Sequence, residues 1–194
     1  MLGVSSIVSH CLATSTYANS ACLRFLKAND ITTVTVPTGV KNARGVASKY
    51  VIGLTSEYNG HCTVQVQWDW LEKALKGKED RPQAVALKAL LRIANPLASD
   101  SIANLLLMEA LMSYKDYSLQ MLHNLYAEMP STMVKLEVAN KHKFRTSWDE
   151  SRLIDPQRLA DVIAVFSTDK EGGRVVVRPS GTEQCLRVYV ETKK

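Results

Sequence analysis

Apolar and polar positions change period in blocks along the 194-residue chain, and each period predicts an element. Residues 3–9 read as a short strand. Over 17–27 the side chains Ala18, Ala21, Cys22, Phe25 and Leu26 recur at helical spacing, and Asn29-Asp30 stops that helix because both residues favour turns. Residues 31–36 are rich in β-branched side chains that suit a pleated surface, and Pro37 ends the strand. Strand, helix and strand in this order predict a βαβ unit. A short helix then runs to about Tyr50. Residues 51–57 and 61–68 are strand-like, with Asn59-Gly60 between them as a hairpin signal, since both residues tolerate positive φ. In the second of these runs Val64, Val66 and Trp68 alternate with Thr63, Gln65 and Gln67, which leaves one apolar face.

Residues 69–127 predict helices. Pro82 suits a first helical turn, with Asp80 as its cap, and 84–94 follows as a strong helix former. Asp100-Ser101 caps a mostly buried helix over 102–112 that carries Leu105, Leu106, Met108 and Met112. Ser118 starts another helix, closed by Pro130. The pattern then changes. Residues 133–139 set Val134, Leu136 and Val138 against Lys135 and Glu137 as in a strand. Asp155-Pro156 opens a helix on whose face Leu159, Val162, Ile163 and Phe166 lie. Gly172-Gly173 is a turn, and strands over 174–178 and 185–191 flank a loop. This division predicts two domains, 1–128 and 129–194, the second a small α+β unit.

Composition narrows the classes. Hydrophobic residues make up 46% and charged residues 22%, ordinary for a globular protein and unlike a disordered tail, a collagen-like fibre or a disulfide-dense mini-protein. The net charge of +5 favours anionic partners without naming one. No apolar run approaches the roughly 18–20 residues of a membrane span, so no membrane partner is expected. The first 23 residues lack the basic start of a secretory signal. Cys11, Cys22, Cys62 and Cys185 form no CxxC pair and read as free thiols of a cytoplasmic protein without a structural metal. Lys141, His142, Lys143 and Arg145 form a short basic cluster with Phe144 as its one aromatic; it reads as a solvated loop, and no nucleic acid is expected.

Three stretches carry chemistry. Arg178-Pro179-Ser180-Gly181-Thr182-Glu183, with Arg187 beyond it, places two guanidiniums, two hydroxyls and a glycine-freed backbone around one loop. A phosphate dianion wants that set of donors, and two arginines can each hold its oxygens bidentately. An ordinary hairpin turn is the alternative, because proline, serine and glycine are turn residues anyway. Glu57, Asn59, Gly60 and His61 sit at a hairpin tip with the mix of donors and acceptors that vicinal sugar hydroxyls need; the alternative is a solvated turn. Thr38-Gly39-Val40-Lys41 lies where a strand meets a helix, and Thr38, Gly39 and Lys41 are candidates for an active-site loop there; the alternative is a plain helix start.

Taken with Thr16-Tyr17-Ala18-Asn19, these stretches resemble the α-D-phosphohexomutase family, and most closely its phosphoacetylglucosamine mutase branch. Thr16 to Asn19 and Thr38 to Lys41 look like third-domain motifs. Glu57-Tyr58-Asn59-Gly60-His61 looks like the sugar loop usually written EANGH, and Asp100-Ser101-Ile102 through Glu109-Ala110 like the helix that follows. Arg178 to Glu183 with Arg187-Val188-Tyr189 is similar to the fourth domain's phosphate loop, a motif common to the superfamily. Cys62 stands where the family has glycine, and Tyr58 where it has alanine, a replacement expected to narrow or shield the sugar loop.

The resemblance implies a mixed α/β sandwich of the phosphohexomutase third-domain type over 1–128. A small α+β domain with a TATA-box-binding-protein-like antiparallel sheet follows over 129–194, ending before the family's final helix. It implies an isomerase that interconverts N-acetylglucosamine 6-phosphate and 1-phosphate for UDP-N-acetylglucosamine synthesis. The hexosamine phosphate is the substrate and a hexosamine bisphosphate the intermediate. The phosphoserine and the Mg²⁺ loop of the family belong to its first two domains, and neither a serine-rich nucleophile loop nor an Asp-x-Asp-x-Asp loop occurs here. No catalytic residue and no metal ligand is therefore expected in this chain, which reads as a carboxyl-terminal half, inactive alone, whose partners are the missing domains or a second copy. A mutase acting on glucose, mannose or glucosamine phosphate, or a noncatalytic sugar-phosphate-binding protein, remains as an alternative.

Overall fold

The βαβ unit is present, and its first described strand lies at His10–Ser15. The computed structural model describes residues 8–167 and 173–192. The strand expected over 3–9 falls mostly outside them, as does Gly172 of the expected turn, and the first strand among the described residues is β1 (His10–Ser15). Its small and polar residues give no β-branched signal. Parallel pairing on both sides makes it a strand: β1 lies between β2 (Thr33–Val36) and β3 (Ile52–Ser56). The antiparallel β4 (Cys62–Val66) completes a four-stranded sheet in the order β2-β1-β3-β4.

The two faces of this sheet bury different residues. On one, Ile52 and Val64, with Leu54 and Val66 beside them, pack on Leu71 and Leu75 of α3 (Trp68–Leu75) and Ala84 of α4 (Pro82–Ile93). On the other, Ala13 and Val36 pack on Ala43 and Ala47 of α2 (Val40–Ala47). Small side chains on both partners let α2 approach so closely that a methyl group on Gly53 would land on the Ala47 carbonyl. Between β1 and β2 runs α1 (Ser20–Ala28), capped by Asn19, whose Oδ1 accepts from Ala21 N–H at 3.0 Å.

Three local expectations are corrected. The hairpin between β3 and β4 closes through the wider loop 57–61, with Glu57 N–H on His61 O at 2.8 Å and Gly60 N–H on Glu57 O at 3.0 Å. Only Gly60 of the Asn-Gly pair takes a positive φ, of 87°. Arg81 rather than Asp80 precedes α4, with no side-chain cap. The helix expected to be mostly buried, α5 (Ser101–Lys115), buries none of its residues, although Asp100 caps it as expected. Its apolar residues occupy nearly every side, so α4 covers only part of them, and Ile102, Leu105, Leu106 and Met108 stay exposed. A short α6 (Leu119–His123) follows.

The second part of the chain is a three-stranded antiparallel sheet in the order β5-β9-β8, from β5 (Ser131–Glu137), β8 (Arg174–Pro179) and β9 (Cys185–Glu191). A small hairpin of β6 (Arg145–Thr146) and β7 (Leu153–Asp155), which sequence patterning leaves as loop, precedes α7 (Gln157–Phe166).

Polar groups join the two sheets. Glu191, 1% exposed, accepts from Ser20 N–H at 3.1 Å, from Tyr189 OH at 2.9 Å and from the Ser20 hydroxyl. Arg174 Nε pairs with it at 2.8 Å, while the same guanidinium donates to Thr16 O at 2.9 Å and Ala18 O at 2.6 Å. Asn19 adds a two-way bond to the backbone of Met129 at 3.0 and 3.2 Å. Burial works against the Glu191 charge, yet bonds from Ser20 and Arg174 outweigh it and hold the carboxyl below the ordinary glutamate range.

Two outcomes follow from this packing. Gly53→Ala is expected to cost about 3 kcal/mol or more, because backbone rather than a mobile side chain blocks the methyl group; a urea midpoint unchanged from wild type would contradict it. A depressed carboxyl stabilises above its unfolded value, about pH 4.3, and that stability is lost as pH falls through the lower folded value. The urea midpoint should therefore drop below about pH 4.3, and the drop should be smaller in Glu191→Gln, which has no charge to lose.

Candidate functional site

The Glu191 junction sets Tyr17, just after β1, over β8. Arg178 is nine-tenths buried; its Nε donates to Tyr17 OH at 2.6 Å and its Cζ stands 5.2 Å from the centre of the Tyr17 ring. Burial raises the Tyr17 phenol above its ordinary value, offset in part by Arg178, so the phenol keeps its proton. Glu150 Oε2 lies 3.3 Å from the same Arg178 Nε. Glu150 projects from the loop between β6 and β7 at a φ of 60°, where Asp149 gathers the hydroxyls of Ser147 and Ser151 at 2.6 and 2.8 Å. The same Glu150 oxygen accepts from Thr38 N–H at 3.0 Å.

Antiparallel register places Arg178 directly opposite Arg187, and Arg187 directly opposite Lys135 of β5. Opposed residues on neighbouring strands share a face, so three cations stand abreast where like charges repel. One carboxylate offsets two of them: Glu183 bonds Lys135 at 2.5 Å and also Arg187. The Lys135 bond, with Arg187, holds the Glu183 carboxyl below its ordinary value, although burial opposes this slightly. The loop between β8 and β9 turns on Ser180, which is buried; its N–H reaches Cys185 O at 2.9 Å and its hydroxyl accepts from Glu183 N–H at 3.3 Å. Gly181 needs no positive φ, and a methyl group there would meet nothing within 4 Å, so its bare backbone leaves the loop mouth open. Lys141 is not the solvated side chain expected of its cluster; it donates to the carbonyls of Ser180 and Gly181.

A cavity of about 530 Å³ gathers these groups. Arg178, Ser180, Gly181, Thr182 and Arg187 line one wall, and Thr38, Glu57, Tyr58 and Asn59 line the opposite one. All three stretches singled out in the sequence thus contribute. Gly39, at a φ of 128°, lies just behind: its N–H donates to Glu57 Oε1 at 3.1 Å and so ties two of the stretches together. Lys41, Gly60 and His61 are outside the lining; Lys41 and His61 are exposed, and His61 N–H donates to Asn59 Oδ1 at 3.2 Å. Among the described residues Thr38 Oγ1 is buried without a hydrogen-bond partner inside this wall. Tyr58 reaches across from the hairpin tip, its ring centre 6.3 Å from that of Tyr189.

Sequence reading missed Ser15, Tyr17, Met133 and Glu150 as lining residues, and Lys135 as the third cation. The polar face of 133–139 flagged Lys135 as exposed but not its partner, which only register supplies. Nothing local marks Glu150. A larger open groove of about 760 Å³ along Leu122, Tyr126 and Glu128 has no comparable set of donors.

Among the described residues no group of three or more histidine, cysteine, aspartate or glutamate side chains is arranged to hold a metal ion. The Mg²⁺ implied by the resemblance therefore has no fitting ligand set among the described residues. No helix among the described residues is long and apolar enough to cross a membrane.

Residues 2–117 match the family model described as phosphoacetylglucosamine mutase AMG1, domain III. The chain belongs to the phosphoacetylglucosamine mutase family. Residues 133–194 match the C-terminal domain of the phosphoglucomutase/phosphomannomutase family. Within the mutase family, the Oryza sativa subsp. japonica phosphoacetylglucosamine mutase is 35% identical over 186 residues, which is 90% of this chain and 33% of that protein. A crystal structure of an N-acetylglucosamine-phosphate mutase in its substrate complex superposes with a TM-score of 0.90 at 26% identity, covering 100% of this chain and 37% of that one. The Aspergillus fumigatus N-acetylphosphoglucosamine mutase, solved with GlcNAc-6P and magnesium, gives a TM-score of 0.87 at 28% identity over 96% of this chain and 38% of that one. The chain thus spans about a third of the length of the relatives it matches. The mixed α/β architecture expected from the sequence agrees with this family.

Tyr17→Phe removes the one phenol on Arg178 Nε while keeping the ring. The variant should lose about 1–2 kcal/mol in urea unfolding, the size expected when a buried charged group loses a hydrogen bond; an unchanged midpoint would rule out that contact as a structural link.

Proposed function

We propose that this chain is the sugar- and phosphate-binding part of a phosphoacetylglucosamine mutase. In the whole enzyme, N-acetylglucosamine 6-phosphate and 1-phosphate are interconverted through a hexosamine bisphosphate. The observation that carries this reading is the pairing of Arg178 with Arg187 across β8 and β9, beside a loop with an open mouth. Two opposed guanidiniums are a liability for the empty sheet and an asset once a dianion lies between them. We assign Arg178, Ser180, Gly181, Thr182 and Arg187 to the phosphate, and Glu57, Asn59, Gly60 and His61 to the sugar. Thr38, Gly39 and Lys41 form the loop nearest the reacting end. Thr38 Oγ1, buried without a partner among the described residues, is a ready donor or acceptor for a bound sugar phosphate. Tyr58 narrows the sugar side.

The domain division is taken at 1–128 and 129–194, in keeping with the change of sheet between β4 and β5. An N-acetylhexosamine is favoured over glucose, mannose or glucosamine because relatives from rice to fission yeast carry the phosphoacetylglucosamine mutase name. The GlcNAc-6P and magnesium bound by the Aspergillus fumigatus protein make the same sugar phosphate the ligand to test here. Magnesium and the phosphoserine would act from parts of such an enzyme other than these residues, and the work of this chain is to bind and orient. Phosphoryl transfer depends chiefly on positioning and charge neutralisation, so a clamp that holds the non-reacting phosphate serves the chemistry without entering it. Four free thiols suit a cytoplasmic setting.

Titration with N-acetylglucosamine 6-phosphate, followed by ¹⁵N–¹H NMR, should give saturable shifts at Ser180, Gly181 and Asn59. Arg187→Gln should weaken binding at least tenfold with little change in unfolding midpoint, since the lost group is a bidentate anion donor. Absence of shifts localised to the 180–184 loop in the wild-type chain would overturn the assignment.

A further inference from the structure

A trans peptide directs its C=O and its N–H to opposite sides. Lys141 Nζ lies 2.8 Å from Ser180 O and 3.2 Å from Gly181 O, so one ammonium holds two successive carbonyls of the loop between β8 and β9. The N–H groups of those same two planes belong to Gly181 and Thr182. Both planes are trans, and both N–H groups therefore point away from Lys141. Gly181 and Thr182 line the cavity and Lys141 does not, so the side away from the ammonium is the cavity side.

Lys141 is also fixed from behind. It opens the 3-10 turn Lys141–Lys143, where the Asn140 side chain accepts from His142 N–H at 3.0 Å. The preceding residues are stitched to the far end of the same loop, with Gln184 Nε2 on Ala139 O at 3.1 Å and Val138 N–H on Gln184 O at 3.3 Å. A cation on two carbonyls further polarises the N–H groups of their planes and makes them better donors.

We infer that Lys141 is a positioning residue of the anion site: it touches no phosphate, but aims and polarises the Gly181 and Thr182 N–H groups. This inference rests on the phosphate reading above and deepens it. Of the basic cluster Lys141, His142, Lys143 and Arg145, the structure assigns a ligand-related role to Lys141 alone. A charge that worked only by its field would act equally from Lys143, two residues on and exposed.

The test uses the whole chain, inorganic phosphate as probe, and three variants. Lys141→Met is expected to bind phosphate roughly tenfold more weakly, to move the Gly181 and Thr182 amide resonances in the free protein, and to lose most of their phosphate-induced shift. Lys141→Arg, which can still donate to both carbonyls, should recover most of the affinity. Lys143→Met removes the same charge from the same turn and should change affinity less than about twofold. Wild-type affinity in Lys141→Met, or an equal loss in Lys143→Met, overturns the inference and leaves the phosphate site standing. A wild-type chain that fails to bind phosphate at all overturns both, and the wild-type titration alone decides that case.

Discussion

The carboxylate of Glu191, sealed between two sheets, is the contact on which the site's geometry depends. It collects Arg174, Tyr189 and both donors of Ser20, and Arg174 in turn holds the carbonyls of Thr16 and Ala18. A buried carboxylate without these partners would be strongly disfavoured, so the segment 16–20 has little choice of position relative to β8 and β9. Tyr17 lies inside that segment, and its position over Arg178 follows. The rings of Tyr17 and Tyr58 both approach Tyr189, at 5.9 and 6.3 Å between centres, which carries the alignment on to the hairpin tip. The hairpin tip 57–61 and the loop 180–184 thus face each other because of a charge some distance from either.

Along one wall of the cavity and beyond it, Lys135, Arg187 and Arg178 stand in a row, with Glu183 paired to the first two and Glu150 to the third. Glu183 is at the loop's edge, and Glu150 shares its oxygen with Thr38 N–H. The two walls of the cavity are therefore connected through one side chain, since Glu150 touches both Arg178 and Thr38.

Much of this architecture was legible in advance, and the failures have physical reasons. Helix and strand order was readable wherever apolar and polar side chains alternated at the element's own period, as in β4 and α1. It failed at β1, whose small residues serve close packing against α2 rather than strand propensity, and at α5, where apolar side chains on every side signal burial that α4 supplies only in part. Asn59-Gly60 marked a hairpin correctly, yet the wider loop 57–61 leaves only Gly60 with positive φ. The phosphate loop was recognisable because its donors are consecutive. Glu150, Tyr17 and Lys141 were not, because each lies at least 28 residues in sequence from the residue it contacts.

The linear sequence by itself determined the inventory: which loop could grip an anion, which hairpin tip could face a sugar, and the family to which both belong. Those properties reside in residue types at short spacing, and short-range order survives without knowledge of the fold. Tertiary structure alone decided that Arg178 stands opposite Arg187, that Lys135 joins them, that a glutamate from another hairpin pairs with the first, and that Lys141 bonds two carbonyls of the loop between β8 and β9. Strand register and sheet contact set those relations, and register is the outcome of the whole chain's packing rather than of any one stretch.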